Sequence, residues 1–487
     1  MTKEVPFAIA LIPAFVLIGL MGMAVWLFGD ASAGGPAQIV LLIAAGAANI
    51  IGLCYGMKWS ALEEAVVHSV SRAIPASLIL LAVGALIGTW MMSGTAPAMI
   101  YYGLGLISPQ WFYPAAAIIC ACVSVSIGSS WTTAGTVGLA LVGAATIMGL
   151  SPAITAGAVV GGSYFGDKLS PLSDSTNLAA AVVGVNLFEH VRHMLTTTIP
   201  SLIIATIIFA GFSLSQSGEV APVETIAQTR DTLKAAYDLG PLTMLPLVAV
   251  FGLAICKFPP YPTIAAGALL GGLVAVVSQP EIVRVFADPA SELPYAAAMV
   301  KGVWQALSTG FQSSLGIAEL DRLLTRGGMA SMMTIIWMVI AALSFAASME
   351  ATGLLERLTA PLLKRIRGVG SLVTATVFSA IAMNIFSATQ YMAIIIPGRM
   401  YVKEYQKRGL KPVNLSRTVE DAGTMTSALV PWTTCGVFMA GALGVPTLDY
   451  LPYAFMNLLN PTLAILYGFF GIALVREKKT APEGAAV

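Results

Sequence analysis

Charged residues are scarce in this chain of 487 residues. Asp, Glu, Lys and Arg together make up 10% of the sequence, whereas a soluble domain carries roughly 25%. Hydrophobic residues account for 57% of the chain, and its mean hydropathy is +0.84. So few charges cannot cover a folded chain of this length with a hydrated surface, which excludes a soluble globular protein. The composition predicts a polytopic membrane protein.

Three other features are rare or missing, and each excludes a class of function. The five cysteines include Cys120 and Cys122, but no His or further Cys lies near them at a metal-ligand spacing, so we expect no cofactor. The sequence has no basic run with interleaved aromatic residues, which argues against nucleic acid as a partner. It also has no HExxH motif and no recognisable nucleophile–base pair, so an enzyme is disfavoured.

The chain contains a weak internal repeat. Residues 149–152 match residues 409–412 at an offset of 260 residues, and the same offset pairs Pro171 with Pro431. Two similar halves in a very apolar chain are typical of secondary transporters, whose substrate site lies at the repeat interface. We divide the sequence into a first transmembrane repeat, a polar linker, a second repeat and a cytoplasmic tail, with the bounds 1–215, 216–239, 240–475 and 476–487.

The loops of the two halves differ in charge. Residues 94–110 and 149–151 contain no Lys or Arg, whereas the equivalent loops of the second half contain Arg357, Lys364, Arg365, Arg367, Lys403, Lys407, Arg408 and Lys411. The positive-inside rule places the basic loops in the cytoplasm, so the second repeat is predicted to be inverted relative to the first. Residues 371–400 have basic loops on both sides, which predicts that this segment enters the membrane and returns.

The predicted architecture is therefore all-α, with two inverted repeats. Each repeat has about five transmembrane helices, one re-entrant hairpin and one broken helix. An odd number of crossings per repeat produces the inversion that the loop charges require. We expect a multi-pass protein of the cell's inner (plasma) membrane with cytoplasmic N- and C-termini.

Polar side chains cluster at four places inside the apolar segments. Two are the tips of the hairpins 111–148 and 371–400, and two are breaks in the long segments 152–184 and 412–444. Unwound backbone at membrane depth is tolerated only where it is buried in protein or lines water, so we predict that tips and breaks converge on a site for a cation or substrate. The predicted site residues are Ser129, Thr132 and Thr133 at the first tip, Asp167, Ser170, Ser173, Asp174, Thr176 and Asn177 at the first break, Asn384, Thr389 and Gln390 at the second tip, and Thr433 and Thr434 at the second break.

Asp174 is the strongest candidate for binding a transported cation. An ionised carboxylate near mid-membrane is costly and marks a functional site. Its neighbours supply hydroxyl and amide oxygens, the ligands that suit a hard cation such as Na⁺. We predict that Asp174, Asn177 and Ser129 bind Na⁺. The alternative is that Asp174 only caps a half-helix.

The other ionisable residues give weaker signals. For Asp167 and Lys168, a structural ion pair and a functional role are both open. Glu420 and Asp421 are expected close to the cytoplasmic surface, at an entrance or on a solvated face. A solvated cytoplasmic loop, with pH sensing as the alternative, is expected for the cluster Glu189, His190, Arg192 and His193.

The first break carries a resemblance to a known family. Residues 161–179, GGSYFGDKLSPLSDSTNLA, resemble the signature of the NhaC family of Na⁺/H⁺ antiporters, and residues 129–136, SSWTTAGT, are similar to the family's preceding signature. The resemblance covers nearly the whole chain and implies membership of the ion transporter superfamily. Its members look like inverted repeats with paired re-entrant hairpins, often as homodimers with an elevator-type motion. The family also includes exchangers of organic acids such as malate and lactate, which the signature does not separate.

We therefore predict a secondary active antiporter that exchanges Na⁺ for H⁺ across the bilayer by alternating access. The alternative is a Na⁺- or H⁺-coupled transporter or exchanger of a small organic acid or an amino acid. An organic anion would bind the second-half donors, which in a cation antiporter only shape and seal the pathway: Asn384, Thr389, Gln390, Thr433 and Thr434. A channel is disfavoured because broken-helix repeats suit alternating access.

Overall fold

The computed structural model describes residues 5–71, 73–215, 221–364 and 366–477. Within these ranges no β-strand forms, and the extended pairings are two isolated bridges, Phe311 with Arg326 and Leu410 with Arg476. The prediction of an all-α polytopic membrane protein is confirmed.

The chain up to residue 239 folds into helices of very different lengths. In chain order they are α1 (Phe7–Ala10), α2 (Ile12–Phe28), α3 (Pro36–Cys54), α4 (Trp59–Ser71), α5 (Ile74–Met92), α6 (Thr95–Leu106), α7 (Phe112–Ile127), α8 (Ser130–Thr133), α9 (Leu139–Ile147), α10 (Pro152–Leu169), α11 (Asp174–Val183), α12 (Leu187–Ser215) and α13 (Val223–Ala236). A π-helical segment, Ala134–Gly138, joins α8 to α9.

The second half of the chain follows a similar order of long and short helices. They are α14 (Leu245–Ile255), α15 (Pro260–Ser278), α16 (Pro280–Ala287), α17 (Tyr295–Ser308), α18 (Ala318–Leu324), α19 (Met333–Ala351), α20 (Leu354–Lys364), α21 (Val369–Ser387), α22 (Gln390–Lys407), α23 (Pro412–Ser427), α24 (Thr434–Leu443), α25 (Thr447–Tyr450) and α26 (Phe455–Phe470).

Nine helical segments of the described ranges are long and apolar enough to cross a membrane, and up to eleven if each of two bent pairs is one span. The nine are Phe7–Phe28, Pro36–Cys54, Ile74–Met92, Pro109–Ile127, Ser130–Ile147, Leu187–Ser215, Pro260–Ser278, Met329–Ala351 and Val369–Ser387. A soluble fold would not present so many apolar helices of this length. The chain is therefore a multi-pass membrane protein.

Two apolar segments of the second half form shorter helices than a full span. Helix α14 has 11 residues, because Lys257 adopts a positive φ of 63° and Pro259 follows shortly after. Helix α26 has 16 residues and ends at Gly471. The predicted linker contains α13, and its residues 216–220 lie outside the described residues, as do residues 478–487 of the predicted tail and Arg365.

Each predicted hairpin consists of two helices joined by a tight left-handed turn. Helix α7 ends at Gly128, with φ 76°, and the hydroxyl of Ser129 caps the returning helix. Helix α21 ends at Ala388, with φ 55°, and the hydroxyl of Thr389 caps α22. A hydroxyl at this position satisfies a backbone N–H that has no partner within the helix. The two turns lie at equivalent positions, 260 residues apart, and the inversion of the halves stays a prediction.

The two long segments are each broken once. Residues 170–173 separate α10 from α11, and residues 428–433 separate α23 from α24. Pro171 and Pro431 lie in these breaks and cannot donate a backbone hydrogen bond. Helices α11 and α24 therefore begin at these breaks.

Glycine on α10 allows that helix to pack very closely on α7. A Cβ at Gly166 would lie 2.1 Å from the carbonyl carbon of Ser124, and a Cβ at Gly162 would lie 2.2 Å from the carbonyl oxygen of Ala117. Only glycine fits at such a distance, as in other closely packed membrane helices. This contact holds the first break against the first tip.

The tips and breaks of the two halves also contact one another. The backbone N–H of Thr434 donates to the carbonyl of Ala388 at 3.0 Å, which joins the second break to the second tip. The ring of Trp131 stacks on Phe438, with the ring centroids 4.2 Å apart, which joins the first tip to α24. All four interruptions therefore surround one volume inside the protein.

Candidate functional site

A cavity of about 790 Å³ lies where the two tips and the two breaks meet. Both halves of the chain contribute to its wall. The predicted site residues that line it are Ser129, Thr132, Asp167, Asp174, Thr389, Gln390 and Thr434. Other lining groups include Ser130, Ser175, Lys257, Glu350 and Ser387. The predicted convergence of tips and breaks thus has a structural counterpart.

Asp174 is the first residue of α11 and is exposed in the cavity wall. The preceding residue, Ser173, makes no side-chain cap of the helix. The positive end of the helix dipole stabilises an ionised carboxylate at this position. Asp174 therefore presents a negative charge to the cavity.

Asp167 is the second carboxylate of the cavity, and it is buried. One of its oxygens, Oδ2, accepts a hydrogen bond from Ser130 Oγ at 2.6 Å, and Oδ1 accepts one from Ser173 Oγ at 2.5 Å. In the described part of the chain, neither Asp167 nor Asp174 makes an ion pair with Lys or Arg. A cation in the cavity would thus meet Asp174 and Asp167 as carboxylates without an ion-pair partner, while Glu350 and Lys257 line other parts of the wall.

Several predicted site residues of the first half support the backbone and do not line the cavity. Thr176 Oγ1 donates to the carbonyl of Asp167 at 2.7 Å, and Asn177 Nδ2 donates to the carbonyls of Pro171 and Ser173, each at 2.8 Å. Of the three predicted Na⁺ ligands, the structure brings Asp174 and Ser129 to the cavity but not Asn177.

The remaining two first-half candidates are also engaged locally. Thr133 Oγ1 donates to the carbonyl of Ser129 at 2.9 Å, inside the first tip. Ser170 Oγ accepts the backbone N–H of Leu172 at 3.4 Å, inside the first break. Both hydroxyls stabilise unwound backbone and lie behind the cavity wall.

In the second half, Asn384 and Thr433 also have structural partners. Asn384 Nδ2 donates to the carbonyl of Gly423 at 2.7 Å and to Thr426 Oγ1 at 2.9 Å. Thr433 Oγ1 donates to the carbonyls of Ser427 and Val430 and accepts the N–H of Gly436. These bonds hold the second tip against α23 and close the second break.

Lys168 does not pair with its neighbour Asp167. Its ammonium group is fully buried and contacts Asp421 Oδ1 as an ion pair, and it donates to Asn460 Oδ1 at 2.5 Å. Adjacent residues on a helix point in different directions, so Lys168 faces α23 and α26 while Asp167 faces the cavity. Of the two alternatives for Asp167 and Lys168, the ion pair between these neighbours is therefore wrong. Lys168 instead forms an ion pair with Asp421 that joins the two halves of the chain.

The expected surface positions of Glu420 and Asp421 are wrong as well. Both residues are fully buried, as is Arg417, whose Nε lies 3.7 Å from Asp421 Oδ2. The solvated loop expected for the cluster is wrong as well, because its residues lie on α12 with His190 and His193 buried, although Glu189 and Arg192 are exposed. Helix α12 packs on α23 and covers these groups. A polar stretch near a loop is exposed only if no other helix covers it, and charge patterns along the chain do not show such packing.

Several polar or charged cavity residues, among them Ser130, Lys257 and Glu350, were not predicted as site residues. Ser130 holds Asp167, and its position between Ser129 and Thr132 was a signal for it. Lys257 and Glu350 line the cavity from segments that are remote in sequence from the tips and breaks. Nothing in their local sequence indicated this placement.

The chain is similar to known proteins over most of its length. The sequence model of the Na⁺/H⁺ antiporter family matches residues 162–472. The protein named Na⁺/H⁺ antiporter NhaC from Alkalihalophilus pseudofirmus is 38% identical over 446 residues, which cover 92% of each chain. The arginine/ornithine antiporter ArcD of Halobacterium salinarum is 35% identical over 99% of this chain and 96% of its own. The malate-2H⁺/Na⁺-lactate antiporter of Bacillus subtilis is 35% identical over 90% of each chain.

Proposed function

Because the chain belongs to the Na⁺/H⁺ antiporter family, we propose that it exchanges Na⁺ for H⁺ at the cavity between the tips and breaks. Its relatives are named as antiporters, so the chain is a secondary transporter and not an enzyme. The observation that carries the proposal is the pair of carboxylates, Asp174 and Asp167, in one cavity lined by hydroxyl oxygens of both halves.

The chemistry of the wall suits a hard cation. Asp174 supplies a charged oxygen at the cavity surface, and Ser129 and Thr132 supply neutral oxygens from the first tip. Na⁺ prefers oxygen ligands of this kind. Asp167 adds a second negative charge whose two oxygens are already held by serine hydroxyls, so it acts mainly by attracting the cation and by orienting the first break.

Exchange follows if Na⁺ and H⁺ compete for the same carboxylate. When Na⁺ leaves Asp174, a proton takes its place, so that the carboxylate is neutralised again before the carrier changes its accessible side. When Na⁺ returns, it displaces that proton. We assume that the carrier opens to the other side of the membrane only when Na⁺ or H⁺ neutralises Asp174. Each change of side then carries one cation, and the two cations move in opposite directions. This cycle is what an antiporter requires.

The transport movement fits two related halves. The broken helices α11 and α24 end at Gly184 and Gly444, which both have positive φ and lie 260 residues apart. The family resemblance implies an elevator-type movement of inverted repeats in a homodimer, and we propose this movement for the chain, in the plasma membrane with cytoplasmic termini. The contrast between basic second-half loops and uncharged first-half loops supports this orientation.

The test is ion flux in proteoliposomes that contain the full-length protein. An imposed Na⁺ gradient should drive opposite proton movement, read with a pH-sensitive dye. The variant Asp174→Asn keeps the shape of the side chain and removes its charge, so exchange should fall by at least about tenfold. The matched control is Asp231→Asn, because Asp231 is exposed on α13 and does not line the cavity. Full exchange by Asp174→Asn would contradict the proposal.

A second candidate function is exchange of a small organic anion or an amino acid. The cavity volume of about 790 Å³ exceeds what a bare Na⁺ occupies and lies in the range of small-molecule sites, roughly 300–1,000 Å³. Two relatives are named for organic substrates. In this case the groups that bind the substrate would be Thr389, Gln390 and Thr434.

The two functions are separated by Thr434→Val, which removes a hydroxyl from the cavity wall at nearly constant volume. If an organic substrate is carried, its affinity should fall by about 1–3 kcal/mol while Na⁺ binding survives. If only Na⁺ is carried, Na⁺ affinity should change little, because a charged ligand dominates. The control is Thr462→Val, whose hydroxyl donates to the carbonyl of Leu458 outside the cavity.

A further inference from the structure

A buried histidine and a buried carboxylate face each other away from the cavity, where α12 packs on α23. His190 and Glu420 are both fully buried, and His190 Nε2 lies 3.5 Å from Glu420 Oε2. Neither residue lines the cavity. In the described part of the chain, neither of these two atoms makes a hydrogen bond.

The neighbouring hydrogen bonds favour one position for the hydrogen of His190. Ser416 Oγ lies 3.0 Å from the carbonyl oxygen of Val413, to which it can donate, and 2.9 Å from His190 Nδ1. A neutral imidazole has one N–H group, and with the Ser416 hydrogen on Val413 that group is at Nδ1. Its Nε2 is therefore an acceptor, and so is the ionised Oε2 of Glu420.

Two acceptors 3.5 Å apart in a buried place are unfavourable, because each lacks a donor. One proton bound at either atom changes this: it makes one atom a donor to the other. We propose that His190 and Glu420 together form a proton-binding site that is separate from the cation cavity. The site takes up one proton and one positive charge, and no other bond is made or broken.

This site is electrically linked to the cavity. Lys168 follows Asp167, which stands in the cavity wall, and forms an ion pair with Asp421, the residue after Glu420. Across this contact the charges of Glu420 and Asp167 repel each other. His190 interacts with His193 on the same helix. Na⁺ bound in the cavity makes the surroundings of Glu420 more positive, so it should expel the proton from the pair. The ionisable groups on the elements around the pair include Asp167 and Lys168 on α10, Asp174 on α11, Glu189, Arg192 and His193 on α12, Tyr405 on α22, Arg417 and Asp421 on α23, and Tyr467 on α26.

The inference rests on the proposed function, because it makes Na⁺ the ion that competes with the proton from a distance. It changes the expected behaviour of the protein in one respect. Proton release on Na⁺ binding would come from two places, the carboxylate in the cavity and the His190–Glu420 pair. The second contribution is lost when the pair is altered, even if Asp174 is intact.

The test uses nuclear magnetic resonance of the full-length protein in lipid bilayers, labelled with ¹⁵N-histidine. The chain has three histidines, so His190 is assigned by comparison with His190→Gln. The chemical shift of its Nε2 should change as the pH is lowered from about 9 to about 5. This change is expected whichever of the two residues holds the proton. Replacing choline by Na⁺ should move this change to lower pH. In Glu420→Gln the amide can donate to Nε2, so the change should move down by at least about one pH unit, a tenfold loss of proton affinity.

The matched control is Glu189→Gln, because Glu189 is adjacent to His190 in sequence but exposed, and it should behave as the unaltered protein does. An Nε2 resonance that is constant over this pH range would overturn the proton site. The same response in Glu420→Gln as in the unaltered protein would overturn the pairing, and an equal response in Na⁺ and choline would overturn the link to the cavity. Each of these results is compatible with normal Na⁺/H⁺ flux in proteoliposomes, whereas absent flux with an intact, Na⁺-sensitive resonance would contradict only the proposed function.

Discussion

The buried ion pair between the halves allows a quantitative prediction for Lys168→Met. Methionine fills a similar volume but has no charge. It would leave Asp421 with a hydrogen bond from Thr197 Oγ1 at 2.9 Å and with Arg417 Nε at 3.7 Å. Asn460 Oδ1 would lose the hydrogen bond from Lys168 as well. The variant thus leaves a buried carboxylate without its nearest cation.

Removing one partner of a buried ion pair costs about 3–5 kcal/mol, because the other charge stays buried without compensation. Arg417 is fully buried beside Asp421 and supplies part of that compensation, so we expect a loss near the lower end, about 3 kcal/mol. Asp421→Asn should be similarly costly, because it leaves the buried Lys168 ammonium with neutral amide oxygens and no carboxylate. The double variant removes both charges. Its loss of unfolding free energy should be smaller than the sum of the two single losses by at least about 1 kcal/mol.

The measurement is equilibrium unfolding in mixed micelles with increasing dodecyl sulfate, followed by helical circular dichroism. The control is Lys301→Met at an exposed position of α17, where we expect a change within about 0.5 kcal/mol. A loss below about 1 kcal/mol for Lys168→Met, or strict additivity in the double variant, would refute the reasoning that this pair is a desolvated and mutually dependent contact.

Three further outcomes are expected. Gly166→Ala should cost at least about 3 kcal/mol in the same unfolding assay, because its Cβ would meet the backbone of α7 at 2.1 Å; Gly19→Ala, with nothing within 4 Å of the added carbon, should not. Asp167→Asn should weaken both Na⁺ binding and stability, because an amide cannot accept both serine hydroxyls; unchanged stability would argue against that role. Cysteines at Ser108 and Gly409 on a cysteine-free background should be labelled from opposite sides of the membrane, and labelling from one side would disprove inverted repeats.

The class of fold and the family were predictable from the sequence for simple physical reasons. A chain with 10% charged residues cannot fold in water, and long apolar segments must be helical in a membrane. Polar interruptions of such segments are costly unless they are buried together, so the predicted tips and breaks pointed to one region. The signature around Asp174 identified the family, which the relatives confirm.

The partners of individual side chains were not predictable in the same way. Lys168 and Asp421 are 253 residues apart, and His190 and Ser416 are 226 residues apart. Which side of α10 faces α23 depends on the close packing of Gly162 and Gly166 against α7, and charge patterns in one dimension do not contain that information. For the same reason Glu420 looked like a surface residue, and Asn177 looked like a ligand although its amide group supports the backbone.

The most direct test of the account is Na⁺ binding to the purified protein as a function of pH. If Na⁺ and H⁺ compete for Asp174, the apparent Kd for Na⁺ should rise with acidity and approach about tenfold per pH unit. Saturating Na⁺ should restore full occupancy at every pH, and Asp174→Asn should show no such pH-dependent site while Asp231→Asn behaves normally. A Kd that does not depend on pH, or an occupancy that acid lowers even at saturating Na⁺, would contradict competition at this carboxylate.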